Sequence, residues 1–133
     1  MRYVLDANIA IAALNAVGDI RERLGTVPGS EVGLPAVAVA ELLFGAQKSK
    51  RRAENLHRVA ALRRAIATLP LSDGVIERYA ETRAALESRG IVKSDFDLII
   101  ACTAVELDAV LLTSDQSLLD GTISGLRAEN WLS

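Results

Sequence analysis

Cysteine and histidine are almost absent from this chain: Cys102 and His57 are the only ones in 133 residues. A disulfide framework and a cysteine metal site are therefore excluded, and Cys102, set in an apolar run, reads as a small core residue. His57 has no second histidine or cysteine to complete a metal or nucleophile set, so a surface or dimer-contact role suits it better than catalysis. Aromatics make up only 4%, which leaves no stacking platform for single-stranded bases beyond the isolated Tyr79 and Phe96. Neither sign of charge is in excess. A net charge of −2 gives no global attraction to nucleic acid, so any such contact must come from local basic clusters. No apolar run approaches the ~18 residues of a membrane span, because Asp6 and Asn8 interrupt the run from Tyr3 to Val17. These features predict a cytoplasmic chain without a membrane segment.

Apolar residues are plentiful, at half of the total, and they suffice for a core in a single domain spanning 1–133. Their pattern alternates strand and helix. A strand is expected at Arg2 to Leu5, with a helix from about Asn8 and a short strand around Val32 to Leu34. An apolar helix follows from Ala36 to about Ala46, then a charged amphipathic one from Lys50 to Ala67. Ser72 suits the N-cap of another helix that Gly90 stops. Phe96 to about Leu107 reads as a buried helix, Ala109 to Thr113 as a strand, and Leu126 to Trp131 as a short final strand. Alternation of this kind predicts an α/β sandwich, with a mainly parallel central sheet covered by helices on both faces.

Asp6, Glu41, Asp97 and Asp115 each lie in or at the end of an apolar segment. An ionised carboxylate in such a place costs several kcal/mol unless a cation or dense hydrogen bonding compensates it. Asp6 and Asp115 fall just past the carboxyl ends of expected strands, where open α/β sheets place their ligands. Glu41 has Val37, Ala38, Phe44 and Gly45 three and four positions away, so it must point into the protein or a cleft. Asp97 sits in the first turn of its helix, at the positive end of the dipole.

Local explanations compete. Asp6 and Asn8 suit helix caps, Ser94 with Asp97 matches a capping box, and Asp115 suits a turn. A single cation site accounts for all four carboxylates together, since without one they would raise each other's pKa. Mg2+ or Mn2+ fits oxygen ligands of this kind, and nothing here suits zinc better. Such an ion activates water near neutral pH and stabilises a phosphodiester transition state, so the implied reaction is phosphodiester hydrolysis.

The same residues carry a family resemblance. Val4-Leu5-Asp6-Ala7-Asn8, Ala40-Glu41-Leu42 with Phe44-Gly45-Ala46, Asp97-Leu98-Ile99-Ile100-Ala101 with Ala104, and Leu112-Thr113-Ser114-Asp115 resemble the four acidic motifs of PIN-domain nucleases. Leu69-Pro70-Leu71 and the ending Gly125-Leu126-Arg127 with Trp131 further resemble the VapC-type toxins of bacterial and archaeal toxin–antitoxin pairs. The resemblance covers nearly the whole chain. It implies a PIN-like three-layer sandwich and a magnesium-dependent endoribonuclease of type II toxin–antitoxin systems. It also implies a homodimer, and a cognate antitoxin whose segment enters the acidic site. Asp6, Glu41, Asp97 and Asp115 are then the catalytic metal ligands, with Asn8, Asp95 and Thr113 as supporting neighbours. Two positions depart from the pattern: Ala7 lacks the hydroxyl common there, and Asp95 adds a carboxylate two residues before Asp97. Residues two apart on a helix point in different directions, so both cannot share the site if the helix includes 95.

Lys48, Lys50, Arg51 and Arg52, followed by Arg58, Arg63 and Arg64, form a basic stretch able to position an RNA backbone, or simply a solvated face. Other classes remain open at this point. An RNA-processing PIN nuclease would lack an antitoxin. Asp95-Phe96-Asp97 with Glu41 is similar to a Toprim-like set, but the triplet opens a helix. A receiver domain would need an acidic pair after its first strand. A non-catalytic regulatory module would bind its partner without cutting.

Overall fold

The computed structural model describes residues 1–132. Five short strands form one all-parallel sheet: β1 (Tyr3–Leu5), β2 (Val32–Pro35), β3 (Ala67–Leu69), β4 (Val110–Leu112) and β5 (Arg127–Glu129), in the order β3-β2-β1-β4-β5. Helices flank it: α1 (Ala7–Leu14), α2 (Ile20–Gly25), α3 (Ala36–Gln47), α4 (Arg52–Ala65), α5 (Asp73–Ser88), α6 (Asp95–Glu106) and the single turn α7 (Gln116–Leu119). The expected α/β architecture is present. Val4, Leu5, Leu34, Leu111 and Leu112 are essentially solvent-free. That is why β1, β2 and β4 read as continuous apolar runs rather than alternating ones. Each such leucine contributes about 1.5–3 kcal/mol by leaving water. Cys102 is buried and free, and His57 is exposed. Among the described residues no helix is long and apolar enough to cross a membrane.

The strand order locates the site. The chain winds outward from β1 through β2 to β3, then crosses back to β4 and β5 on the other side of β1. Winding therefore reverses between β1 and β4, which opens a crevice beyond their carboxyl ends. Asp6 follows β1 directly, and its N–H donates to the Leu112 carbonyl at the end of β4 (3.2 Å). The two strand ends are thus joined at the crevice.

Local chemistry sets most helix boundaries. Ser72 caps α5 by accepting from the Val75 N–H. Gly90, at φ +76°, closes that helix in a Schellman turn, with Gly90 N–H to Glu87 O at 3.0 Å and Ile91 N–H to Leu86 O at 2.9 Å. The carboxyl end of α1 is held by two guanidinium groups. Arg21 donates to the Ala13 and Leu14 carbonyls (2.6 and 2.8 Å). Arg58 of α4 donates to Leu14 O and to Asn15 Oδ1.

One expected boundary is corrected. The helix read from Lys50 to Ala67 spans Arg52–Ala65, and its expected end is instead the edge strand β3. Ile66 is already extended (φ −133°, ψ 148°), and Gly33, Leu34 and Pro35 of β2 pair with Ala67, Thr68 and Leu69. Pro70 adds its own pressure, because the residue before a proline avoids the helical region. A Cβ on Gly33 would lie 2.8 Å from the Leu69 side chain, so glycine there lets β3 close against β2. The short helices α2 and α7 fall where the sequence pattern gives no helix.

Candidate functional site

Asp6, Glu41, Asp97 and Asp115 line one small cavity of about 30 Å3, together with Ala7, Asn8 and Ile100. Four segments far apart in sequence meet there. Asp6 is buried at 5% exposure and both of its oxygens are engaged. Oδ1 accepts from the Ile9 N–H at 2.9 Å, which caps α1, and Oδ2 accepts from the Thr113 hydroxyl. Thr113 is fully buried, and its oxygen also accepts from the Asp115 N–H at 3.0 Å. One threonine therefore fixes the Asp6 carboxylate and the backbone of Asp115 relative to each other. Asp115 in turn caps α7, with Oδ1 accepting from the Ser117 N–H at 2.9 Å.

Asp97 lies in the first turn of α6, whose cap Ser94 accepts from the Asp97 N–H at 3.2 Å. Glu41 projects from the middle of α3. That helix buries Ala38, Val39, Leu42 and Ala46, which leaves Glu41 exposed at the rim of the cavity. Capping and clustering are compatible here, because a cap occupies one lone pair of a carboxylate and leaves the others free.

The electrostatics are those of an uncompensated acidic cluster. Asp6 holds its proton more tightly than an ordinary aspartate, first because it is buried; the Thr113 and Ile9 hydrogen bonds oppose the shift, and the charges of Asp97 and Asp115 add to it. Asp97 is raised by burial and by Asp115, with Ser94 and Lys93 pulling it down. Glu41 is raised as well. Partial burial in the cleft is the larger cause, although the side chain reaches solvent, and the charges of Asp97 and Asp6 follow. Burial and the charges of neighbouring carboxylates thus act together on Asp6, Glu41 and Asp97.

Among the described residues no three acidic, imidazole or thiol groups already stand close enough to form a closed metal cage. The donor set nevertheless fits Mg2+ or Mn2+. It is all oxygen, it is acidic, and the cavity holds roughly two waters, which suits an ion bound by one or two carboxylates that keeps part of its hydration. None of it suits a soft, sulfur-seeking metal.

Asn8 lines the cavity but is otherwise exposed. Asp95 is inside α6 and does not line the cavity. Its Oδ1 accepts from the Tyr79 hydroxyl (2.7 Å) and from Arg83 (3.0 Å) of α5. Lys48, Lys50, Arg51 and Arg52 are exposed at the junction of α3 and α4. Lys48 lies seven positions beyond Glu41, about 10 Å along the helix axis. Lys48 Nζ stands 5.0 Å from the ring centroid of Phe44, which is 63% exposed.

The PIN domain matches residues 3–121. The chain belongs to the PIN-domain family. Its full-length relatives include Ribonuclease VapC2 of Rickettsia felis, 28% identical over 98% of both chains. Another is the tRNA(fMet)-specific endonuclease VapC of Shigella flexneri, 27% identical over 98% of both. Among solved structures, VapBC2 of R. felis bound to a DNA fragment from its promoter aligns at a TM-score of 0.88 and 28% identity, covering 98% of this chain and 99% of the other. DNA-bound VapBC from Salmonella typhimurium aligns at 0.91 and 26%, covering 98% of each. The sheet and helix arrangement of this PIN domain is therefore that of VapC-type ribonucleases.

Proposed function

We propose that this PIN-domain chain is a Mg2+- or Mn2+-dependent endoribonuclease that hydrolyses RNA phosphodiester bonds, the toxin of a type II toxin–antitoxin pair. The observation that carries this reading is the convergence of Asp6, Glu41, Asp97 and Asp115 on one cavity where each of the first three holds its proton unusually tightly. Asp6, Asp97 and Asp115 would hold the ion between them, directly or through the waters it retains, with Glu41 at the open side. A divalent ion there would supply charge neutralisation for the phosphate and acidity for a bound water. Thr113 keeps Asp6 and Asp115 in register, and Asn8 supports the opening. Glu41, a carboxylate at the open side of the cavity, would take the proton of the attacking water. The exposed Lys48, Lys50, Arg51 and Arg52 would position the RNA backbone.

Partners follow from two surfaces. A groove of about 270 Å3 runs between α1, α3 and α4, lined by Ile11, Leu14, Leu42, Ala46 and Val59, and it shares Glu41 with the acidic cavity. An apolar antitoxin segment ending in a cationic side chain would fill both spaces at once. The two relatives of known structure named above are themselves VapBC complexes. Leu71, Ile76 and Leu107 are exposed around a depression lined by Leu69, Pro70 and Leu107, which supports a homodimer.

The test is cleavage of total RNA by the purified, partner-free protein with Mg2+ or Mn2+, against EDTA and Asp6→Asn controls. Metal-dependent cutting that the variant loses is the expected result. Undiminished cutting by the variant, or in EDTA, would sink the assignment.

A further inference from the structure

Lys93 stands two residues ahead of α6 and its side chain is only 3% exposed. A buried ammonium needs strong compensation to be tolerated. Here Nζ donates to the Ser117 carbonyl of α7 and, at 3.0 Å, to Asp120 Oδ2 just after it. Those contacts tie the lead-in to α6, which carries Asp97, to the short helix that follows Asp115. The tie continues inward without a gap. Ser117 N–H donates to Asp115 Oδ1, Asp115 N–H to Thr113 Oγ1, and the Thr113 hydroxyl to Asp6 Oδ2.

A single four-residue turn has no stability of its own, because helix nucleation is unfavourable. The place of α7, and with it the direction of the Asp115 carboxylate, depends on what holds that turn from outside. From the α6 side, the bonds that reach it come from Lys93. Asp120 is itself fixed from its other side, since Thr122 donates to Oδ1 from both its N–H (3.0 Å) and its hydroxyl (2.6 Å).

We infer that Lys93 is a positioning residue of the acidic site: by pinning α7 to the lead-in of α6 it sets Asp115 against Asp97 and so sets divalent-metal affinity. The inference rests on the metal-dependent nuclease reading. Lys93 does not line the cavity; its charge reaches Asp97 from a distance, and its positioning effect passes through Asp115.

A double-mutant cycle on the full chain tests this, with Mn2+ affinity measured by calorimetry well below the melting temperatures. Lys93→Met is expected to weaken Mn2+ binding by about 10–100-fold, the usual cost of removing a group that orients a ligand. Lys93→Arg, which keeps a charged donor, is expected to recover most of the loss. In an Asp115→Asn background, Lys93→Met should cost little more. A purely structural role would instead lower the melting temperature and leave Mn2+ affinity where it was. Parental affinity in Lys93→Met, or a full further loss in the Asp115→Asn background, overturns the inference and leaves the nuclease reading standing. A parent that binds no Mn2+ overturns both. Should Lys93→Met fail to fold, Lys93→Gln takes its place in the same cycle with the same criteria.

Discussion

Asp95 and Asp97 occupy the same turn of α6, two residues apart, and the protein treats them in opposite ways. Asp95 faces α5, where Arg83 and the Tyr79 hydroxyl bond it directly and Arg83 also reaches Glu87. Its charge is paired on an exposed surface. Asp97 faces the cavity, where its neighbours are Asp115, Asp6 and Glu41, and its proton is held more tightly than usual. A basic side chain is within range, since Lys93 lowers the Asp97 pKa somewhat, but its hydrogen bonds go to Ser117 and Asp120. The chain therefore neutralises acidic groups where neutralisation adds nothing, and leaves uncompensated the group where an external cation would act. That contrast, more than the number of acidic residues, marks the cavity as functional.

The largest expected effect breaks or confirms the contrast outright. Asp97→Asn and Asp6→Asn should each reduce metal-dependent RNA cleavage by at least ~100-fold, more than the loss of a group that merely orients a ligand. Asp95→Asn should leave cleavage within about twofold. Equal losses in Asp95→Asn and Asp97→Asn would show that the geometry of α6 does not separate the two roles. Next in size is Thr113→Val, which keeps the shape and removes the hydroxyl that Asp6 and the Asp115 N–H share. Mn2+ affinity by calorimetry should fall about 10–100-fold, with a stability loss of about 1–3 kcal/mol for buried polar groups left unpaired.

The cavity was legible in sequence because its signal is local. Asp6, Glu41, Asp97 and Asp115 sit among valine, leucine, isoleucine and alanine, and a charge in such company requires a reason wherever the chain folds. The winding reversal beside β1 then supplied the place. Features decided by distant partners were not legible. Ala67 closes the charged amphipathic pattern that begins at Lys50, and only pairing with Gly33 to Pro35 makes Ala67 to Leu69 a strand. A lysine at position 93 reads as solvated by default, and its burial depends on α7, more than 20 residues later. The run Leu98-Ile99-Ile100-Ala101 favours Asp97 over Asp95 for the site, but what Asp95 does instead depends on Tyr79 and Arg83, from another helix.

Protons offer a graded version of the same comparison. Asp6, Glu41 and Asp97 have folded pKa values above their unfolded ones, so in that window the folded protein binds more protons than the unfolded chain. Stability from these groups is full below the unfolded values and is lost as pH rises through the folded ones. The metal-free melting temperature should accordingly fall as pH climbs above the ordinary carboxylate range. Saturating Mg2+ should remove or reverse that slope, because metal and protons compete for the same oxygens. Asp97→Asn should flatten the metal-free slope, measured by thermal melts across pH. A slope unchanged by Mg2+ and by Asp97→Asn would mean that the cluster is compensated after all. Asp120 contributes with the opposite sign: its pKa is lowered to about 2, so its contribution is present above the unfolded value and is lost only in stronger acid.

The smallest effect belongs to the paired side of α6. Arg83 bonds Asp95 at 3.0 Å and Glu87 at 3.2 Å, with all three side chains about half exposed. Exposed ion pairs of this kind contribute less than about 1 kcal/mol, because water screens them and two long side chains must be ordered. Arg83→Ala should therefore lower stability by no more than that in urea melts, and the loss should shrink further at high salt. What makes this variant informative is its second readout. With Arg83 gone, Asp95 keeps only the Tyr79 hydroxyl, and a carboxylate without its cation becomes free to turn. If Mn2+ affinity stays at the parental value, Asp95 is kept from the site by the direction of its helix position, and Arg83 is surface chemistry only. If affinity changes, then the guanidinium is what separates the two aspartates, and the division of α6 into a paired and an unpaired side is maintained by charge rather than by helix geometry.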